Sequence, residues 1–206
     1  MKPILFNTES VRTILGSQKT VTRRVVKPQP KDGFIPVWRG NWDGTVGSRP
    51  AWAVMPPYQP GDILYVREAF GRHPSGKYCY RADYIGAFGW GWHPSIHMPK
   101  EAARIFLRVT DVRVERLQDI TEEQAIAEGA VGVPCSHPNS SIDGGTVCCV
   151  DCMNTGWIEP PIVNFAEIWD STIKPADRDK YGWAANPWVW VIEFERISET
   201  GEINGR

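Results

Sequence analysis

Lys19-Thr20-Val21-Thr22-Arg23-Arg24 opens a run that Val25 and Val26 prolong. Thr and Val favour extended backbone, so the stretch predicts a β-strand. It follows a short helical pattern and a Gly16-Ser17 turn signal. Its load is odd for a strand, with one lysine, two hydroxyls and two arginines in six residues. Two settings suit it. One is an exposed edge strand, charged to discourage aggregation. The other is a face that meets an anion, a nucleic acid or a polar substrate.

The rest of the composition narrows the setting. A chain of 206 residues allows one domain or a small pair, with length enough for a real core. Hydrophobic residues at 42% and charged residues at 23% are ordinary for a water-facing globular protein. The net charge of −1 gives no global basic field, so any nucleic-acid contact must come from a local patch. No apolar run approaches the ~18 residues of a membrane span, and no signal-peptide pattern opens the chain. The expected location is cytoplasmic, with no membrane partner. Five cysteines is an odd count, and four fall between Cys135 and Cys152. In a reducing compartment that clustering points to metal rather than disulfides.

Taken in order, Ile4-Leu5-Phe6 reads as a first strand, and Thr8 as the N-cap of a helix carrying Val11, Ile14 and Leu15 to a stop at Gly16. Residues 27–60 are rich in Pro, Gly and Trp without a sustained period, and read as a long loop of the binding-segment kind. Most of its rings (Trp38, Trp42, Trp52) serve to anchor it. After the Pro60-Gly61-Asp62 turn, Ile63 to Glu68 continues as a strand, with Lys77 to Asp83 as its hairpin partner. Arg104 to Leu117 is the longest β pattern, with a phase change near Thr110-Asp111 that predicts a bulge or bend. Thr121-Glu122-Glu123-Gln124 is a capping box opening a helix that stops at Gly129. Glu128 falls in its last turn, where the helix dipole disfavours a carboxylate by ~0.3–1 kcal/mol. Pro161 suits a helix N1 position, with Ile162, Phe165, Ile168 and Trp169 on one face. Trp188 to Ile197 alternates as a closing strand, apolar on both faces in its first half and so central in its sheet. The expected fold class is α+β: a small, mostly antiparallel β-barrel with flanking short helices.

These pieces resemble the ASCH domain, a small β-barrel related to the PUA RNA-binding fold. The resemblance rests on Gly16-Ser17-Gln18-Lys19-Thr20-Val21-Thr22-Arg23-Arg24, then Pro60-Gly61-Asp62-Ile63-Leu64, Val109-Thr110-Asp111-Val112 and Val191-Ile192-Glu193-Phe194. Tyr65-Val66-Arg67-Glu68, the Pro94 to Pro99 stretch and the Glu115 to Ile120 stretch are similar to the longer ASCH proteins of tailed phages and prophages. The family includes an amidohydrolase that deacetylates N4-acetylcytidine and a member reported as a ribonuclease. The resemblance implies an ASCH-like barrel over residues 1–130 and 161–197; by their own sequence, residues 131–160 read as a Cys/His-rich insertion and 198–206 as a flexible tail. The resemblance also implies Lys19, Thr22 and Glu128 as the reacting set.

Hydrolysis of an amide needs a nucleophile, a proton manager and stabilisation of the oxyanion. Thr22 is the candidate nucleophile, or the holder of a water, and needs a base to take its proton. Lys19 is the candidate base, a role that burial and neighbouring cations favour because both disfavour the ammonium form. Glu128 is the candidate donor to the leaving amine, and Arg24 the candidate anion contact. Tyr65, Arg67, Glu68 and His97 are candidate pocket-lining residues. Residues three apart on a regular strand face opposite ways. Lys19 and Thr22 therefore converge only if Lys19 lies in the preceding turn or the strand is irregular. The rival reading is a non-catalytic module in which the same cations hold RNA or DNA; ribonuclease action is a third. No cofactor is expected for catalysis.

The insertion carries Cys135-Ser136-His137 and Cys148-Cys149-Val150-Asp151-Cys152 ahead of Gly156. Two ligand pairs about a dozen residues apart suit a tetrahedral zinc centre. The favoured ligands are Cys135, His137, Cys149 and Cys152, with Cys148 able to replace Cys149 or His137. Four protein ligands leave no open position, so such a zinc would be structural. Free thiols in a loop are the alternative.

Overall fold

The strand expected around Lys19–Val26 forms over Val21–Val25 (β2), in a computed structural model that describes residues 1–30, 55–84, 89, 91–134, 141–142, 145–146 and 157–198. The other strands of its sheet are Lys2–Leu5 (β1), Ile63–Arg67 (β3), Phe106–Arg116 (β6) and Trp188–Ile197 (β11). Their order is β1-β3-β6-β11-β2. The β1–β3 pair is parallel, whereas β3–β6 and β11–β2 are antiparallel. As its pattern predicts, β11 is an inner strand, with Val189 and Val191 buried on one face and Trp190 and Ile192 on the other. The fold is mixed α+β with mostly antiparallel pairing and short helices. Among the described residues the five strands form an open order with β1 and β2 outermost, and no closed barrel is found.

The chain divides into two compact units, residues 1–115 with 188–206, and residues 116–187. The motif-based boundaries at 130 and 161 fall inside the second of these. In the first unit the main core gathers Ile4, Phe6, Leu64, Val66, Leu107, Val109, Trp190, Ile192 and Phe194 on one face of the sheet. The helix Thr8–Leu15 (α1) covers that face with Val11 and Ile14. Full burial of such side chains contributes about 1.5–3 kcal/mol each. Along β6, Leu107 and Val109 face this core, and so do Val112 and Val114. The core-facing parity switches between 109 and 112, which is the phase change seen at Thr110-Asp111. On the opposite face Arg113 is paired with Asp111 (3.2 Å), Glu115 (2.5 Å) and Glu193, and Arg108 with Glu195 (3.1 Å).

Three expectations are corrected. The N-cap of α1 is Asn7, whose side chain accepts from the Ser10 amide at 2.8 Å; Thr8 is already helical. The Lys77–Asp83 segment does not pair with Ile63–Glu68. Its strand Tyr78–Tyr80 (β5) pairs with Phe70–Arg72 (β4), because β3 already has β1 and β6 at its two edges. In the helix Pro161–Thr172 (α3), Pro161, Phe165 and Trp169 are buried but Ile168 is 40% exposed.

The second unit also contains the helices Glu122–Ala127 (α2) and Arg178–Tyr181 (α4). Its short strands are Val133–Pro134 (β7), Ser141–Ile142 (β8), Gly145–Thr146 (β9) and Trp157–Glu159 (β10), paired β7–β10 and β8–β9. The capping box at Thr121 forms as expected, with Gln124 reaching back to the Thr121 amide. Pro161 opens α3 at its first turn. The Ile162 amide donates to Glu122 Oε2 at 3.0 Å, tying α3 to α2. No helix among the described residues is long and apolar enough to cross a membrane.

Candidate functional site

The site grows from the way α1 ends. Gly16 is the C-cap with φ −76°, and the left-handed turn is taken by Ser17 at φ 58°. That turn folds the chain back on the helix, and the Gln18 and Lys19 amides both donate to Thr13 O, at 2.9 and 3.1 Å. Lys19 therefore sits in irregular chain ahead of β2, one of the two conditions under which it can share a side with Thr22. Both are buried, Lys19 at 6% and Thr22 at 1% exposure. A hydroxyl and an amine are rarely buried so deeply without polar company.

Thr22 and Arg24 alternate on β2 opposite Ile192 and Trp190 of β11, which places them on the core-facing side of the sheet. Arg24 Nη1 donates to Thr22 Oγ1 at 2.9 Å and to Arg23 O at 3.0 Å. Its Nη2 donates to Leu5 O at 3.0 Å, and its guanidinium lies 5.2 Å from the centroid of the Phe6 ring. A cationic donor on Oγ1 leaves the hydroxyl proton for a second acceptor and favours negative charge developing on that oxygen. Tyr58 joins the group. Its hydroxyl donates to Pro3 O at 2.8 Å; burial pushes its phenol above the usual 10.0, with Arg24 pulling the other way. Neither Tyr58 nor the Leu5 carbonyl was singled out in the sequence, because an aperiodic Pro-rich stretch and a backbone acceptor leave no pattern.

The neighbouring Arg23 points to the opposite face, where its side chain is 1% exposed and lies 3.4 Å from Glu115. Of the three cations around the basic strand, Lys19 and Arg23 are buried and Arg24 is half-buried.

Arg67 lies across from Leu5 in the parallel β1–β3 register, and the Phe6 amide donates to Arg67 O at 3.2 Å. The β2 candidates and the end of β3 therefore flank Leu5-Phe6 from two sides. The Arg67 side chain donates to Met98 O at 3.0 Å and to Ile96 O, pinning the turn that holds exposed His97. Glu68 is 1% exposed and takes a two-pronged ion pair from Arg104, at 2.8 and 3.1 Å. Arg104 also binds Asp83 at 2.7 Å and stacks 3.9 Å over Tyr80. Desolvation raises the Glu68 carboxyl above the usual 4.5 against the pull of Arg104. Tyr65 is half-buried, on the sheet face away from Leu64 and Val66.

Glu128 is the C-cap of α2, half-buried, its amide donating to Gln124 O at 2.9 Å. It belongs to the second unit, whereas Lys19, Thr22 and Arg24 belong to the first. Cys135, His137, Cys148, Cys149 and Cys152 lie outside the described residues, as do Trp38, Trp42 and Trp52 and the tail beyond Ser198.

In comparisons with known proteins, no family model, no curated protein and no solved structure matches the chain.

Proposed function

We propose that this chain is an ASCH-like hydrolase that removes an acyl group from an N4-acylcytidine-type nucleoside. The observation that carries the reading is the buried Thr22 hydroxyl held by Arg24, with buried Lys19 in the irregular segment before the strand. Thr22 Oγ1, or a water it holds, attacks the amide carbonyl as Lys19 takes the proton. Glu128 returns a proton to the departing amine, and a covalent acyl-threonine, if formed, is released by water as a carboxylate. Arg24 donates to Thr22 Oγ1 and to two backbone carbonyls, which orients the hydroxyl, and it is also the proposed contact for an anion of the substrate. Thr22 at 1% exposure requires the cover over it to open for substrate.

A PUA-like barrel has support from the same arginine. Arg24 stands on β2 and reaches Leu5 O on β1, so the two outermost strands of the sheet come within one side chain of each other. Sheets curled that far are on the way to closure. The alternative reading, RNA or DNA held by the basic strand, is weakened because Lys19 and Arg23 are buried. Ribonuclease action has no distinct residue set in its favour.

The test is acyl release from a panel of N4-acylated cytidines by the purified chain, followed chromatographically. Thr22→Val, Lys19→Met and Glu128→Gln should each lower turnover by about 10²-fold or more while nucleoside still binds. Silence across the whole panel removes the reading. For the insertion we propose one structural zinc on Cys135, His137, Cys149 and Cys152, or with Cys148 as a substitute ligand. Elemental analysis of freshly purified chain should give about one zinc per chain; a Cys152→Ser variant that retains full metal content speaks against that ligand set.

A further inference from the structure

We infer that the β4–β5 hairpin is a contact surface for the phosphodiester backbone of a nucleic acid. The inference does not depend on hydrolysis at Thr22. Among the described residues, arginines are almost all turned to internal acceptors: Arg12 to Glu9, Arg104 to Glu68 and Asp83, Arg113 to three carboxylates, Arg196 to Leu15 O. Arg72, Arg81 and Arg178 are exceptions, and the first two sit on or beside this hairpin. Arg72 has a 3.5 Å approach to Gly76 O and lies 5.6 Å over the Tyr78 ring. Neither Arg72 nor Arg81, nor Lys77, is in an ion pair, and all three are exposed. From Ala69 to Ala82 the sequence contains no Asp or Glu, in a chain whose net charge is −1.

The geometry presents these charges as a rigid ribbon. Phe70 and Tyr78 pack on Met98 and Ala102, and Tyr80 donates to Ala102 O at 2.8 Å. The tip is closed by His73 N to Lys77 O at 2.9 Å and Gly76 N to His73 O at 2.8 Å, with Gly76 at φ 86° supplying the left-handed residue. Lys77 and Arg81 flank β5 at its two ends; Arg81 opens the 3-10 turn Arg81–Asp83, its amide still bonded to Ala69 O at 2.9 Å. His73 lies across from Lys77 at the tip. Arg72 stands beside the ring of Tyr78. One face of the hairpin is packed on Met98 and Ala102, so the exposed cations at its tip and far end suit contact with the phosphates along a nucleic-acid backbone and not insertion into a groove. Rigidity lowers the ordering cost of binding.

The test is fluorescence anisotropy of the full chain with a labelled single-stranded RNA and a labelled DNA duplex, across a salt series. Wild type should bind at least one probe at low salt, and which one identifies the source of the backbone. The combined Arg72→Gln, Lys77→Gln, Arg81→Gln variant should bind at least tenfold more weakly. It should also lose about 2–3 from the slope of log affinity against log salt, since each lost phosphate contact contributes ~0.7–0.9. Lys174→Gln with Lys180→Gln, exposed cations of the second unit interleaved with Asp177 and Asp179, should change neither. If the triple variant unfolds, Lys77→Glu alone carries the test and should weaken binding. No binding to either probe at low salt, or equal loss in the Lys174 and Lys180 control, overturns the inference.

Discussion

Glu68 is a carboxylate with 1% exposure, and its stability rests on the fit of Arg104 around it. Removing one partner of a buried ion pair strands the other charge, which typically costs about 3–5 kcal/mol. Because Arg104 keeps Asp83, Glu68→Ala should fall near the low end of that range, read from urea unfolding. The pH dependence has a definite sign. Desolvation raises the folded carboxyl above 4.5 despite Arg104, so the folded chain holds this proton more tightly than the unfolded chain. Its stabilising contribution is complete below the unfolded value and is lost as pH rises through the folded one. Glu68→Gln titrates at neither value. The stability of the wild type relative to Glu68→Gln should therefore decline from pH 4 upward through that window; a difference that grows with pH would contradict the raised carboxyl.

At the scale of elements, caps and seams decide the outcome. Asn7→Ala removes the side-chain acceptor for the Ser10 amide at the start of α1 and should lower stability by about 1 kcal/mol, whereas Thr8→Ala should change it less. Gly132 sits where β7, β10 and α3 begin to meet. A Cβ there would come 2.6 Å from Pro161 Cδ and 2.8 Å from Trp157 Cε3, both on rings with little freedom to yield. Gly132→Ala should therefore destabilise the second unit by about 1–3 kcal/mol in thermal or urea unfolding. Elements with a strong local signal were legible in sequence: the capping box at Thr121, Pro161 at the head of α3, the doubly apolar β11 and the change of face in β6. Pairing was less so. Lys77–Asp83 carries the right alternation for a hairpin, but alternation does not say which strand edge is vacant, and β3 had none to offer. The N-cap moved by one residue because Asn7 and Thr8 are both capping residues. The candidate site was legible as a motif. That Arg24 turns inward to Leu5 O and Thr22 was not, because it depends on β1, a strand far from it in pairing order.

For the whole molecule, the sheet order has a direct consequence under truncation. β2 lies at one edge, and its neighbour in the sheet is β11. Deleting residues 188–206 removes that neighbour along with Trp190, Ile192 and Phe194 from the core. The first unit should then lose cooperative unfolding, while a control lacking only residues 199–206 should keep it. Circular dichroism of both shortened chains during urea titration distinguishes the outcomes.

The same order bears on how the chain is born. Residues 26–187 are made between β2 and β11, including all of the second unit. At ~5–20 residues per second, a ribosome leaves Val21–Val25 waiting roughly 10–30 s for the strand it must pair with. For that interval a Val-rich segment carrying Thr22 is exposed to whatever nascent chain or chaperone passes by. The lysine and two arginines that fold inward in the finished protein are then all on the outside. Charges at an unpaired strand oppose association with other strands, so the same basic residues guard the segment against foreign pairing until β11 arrives.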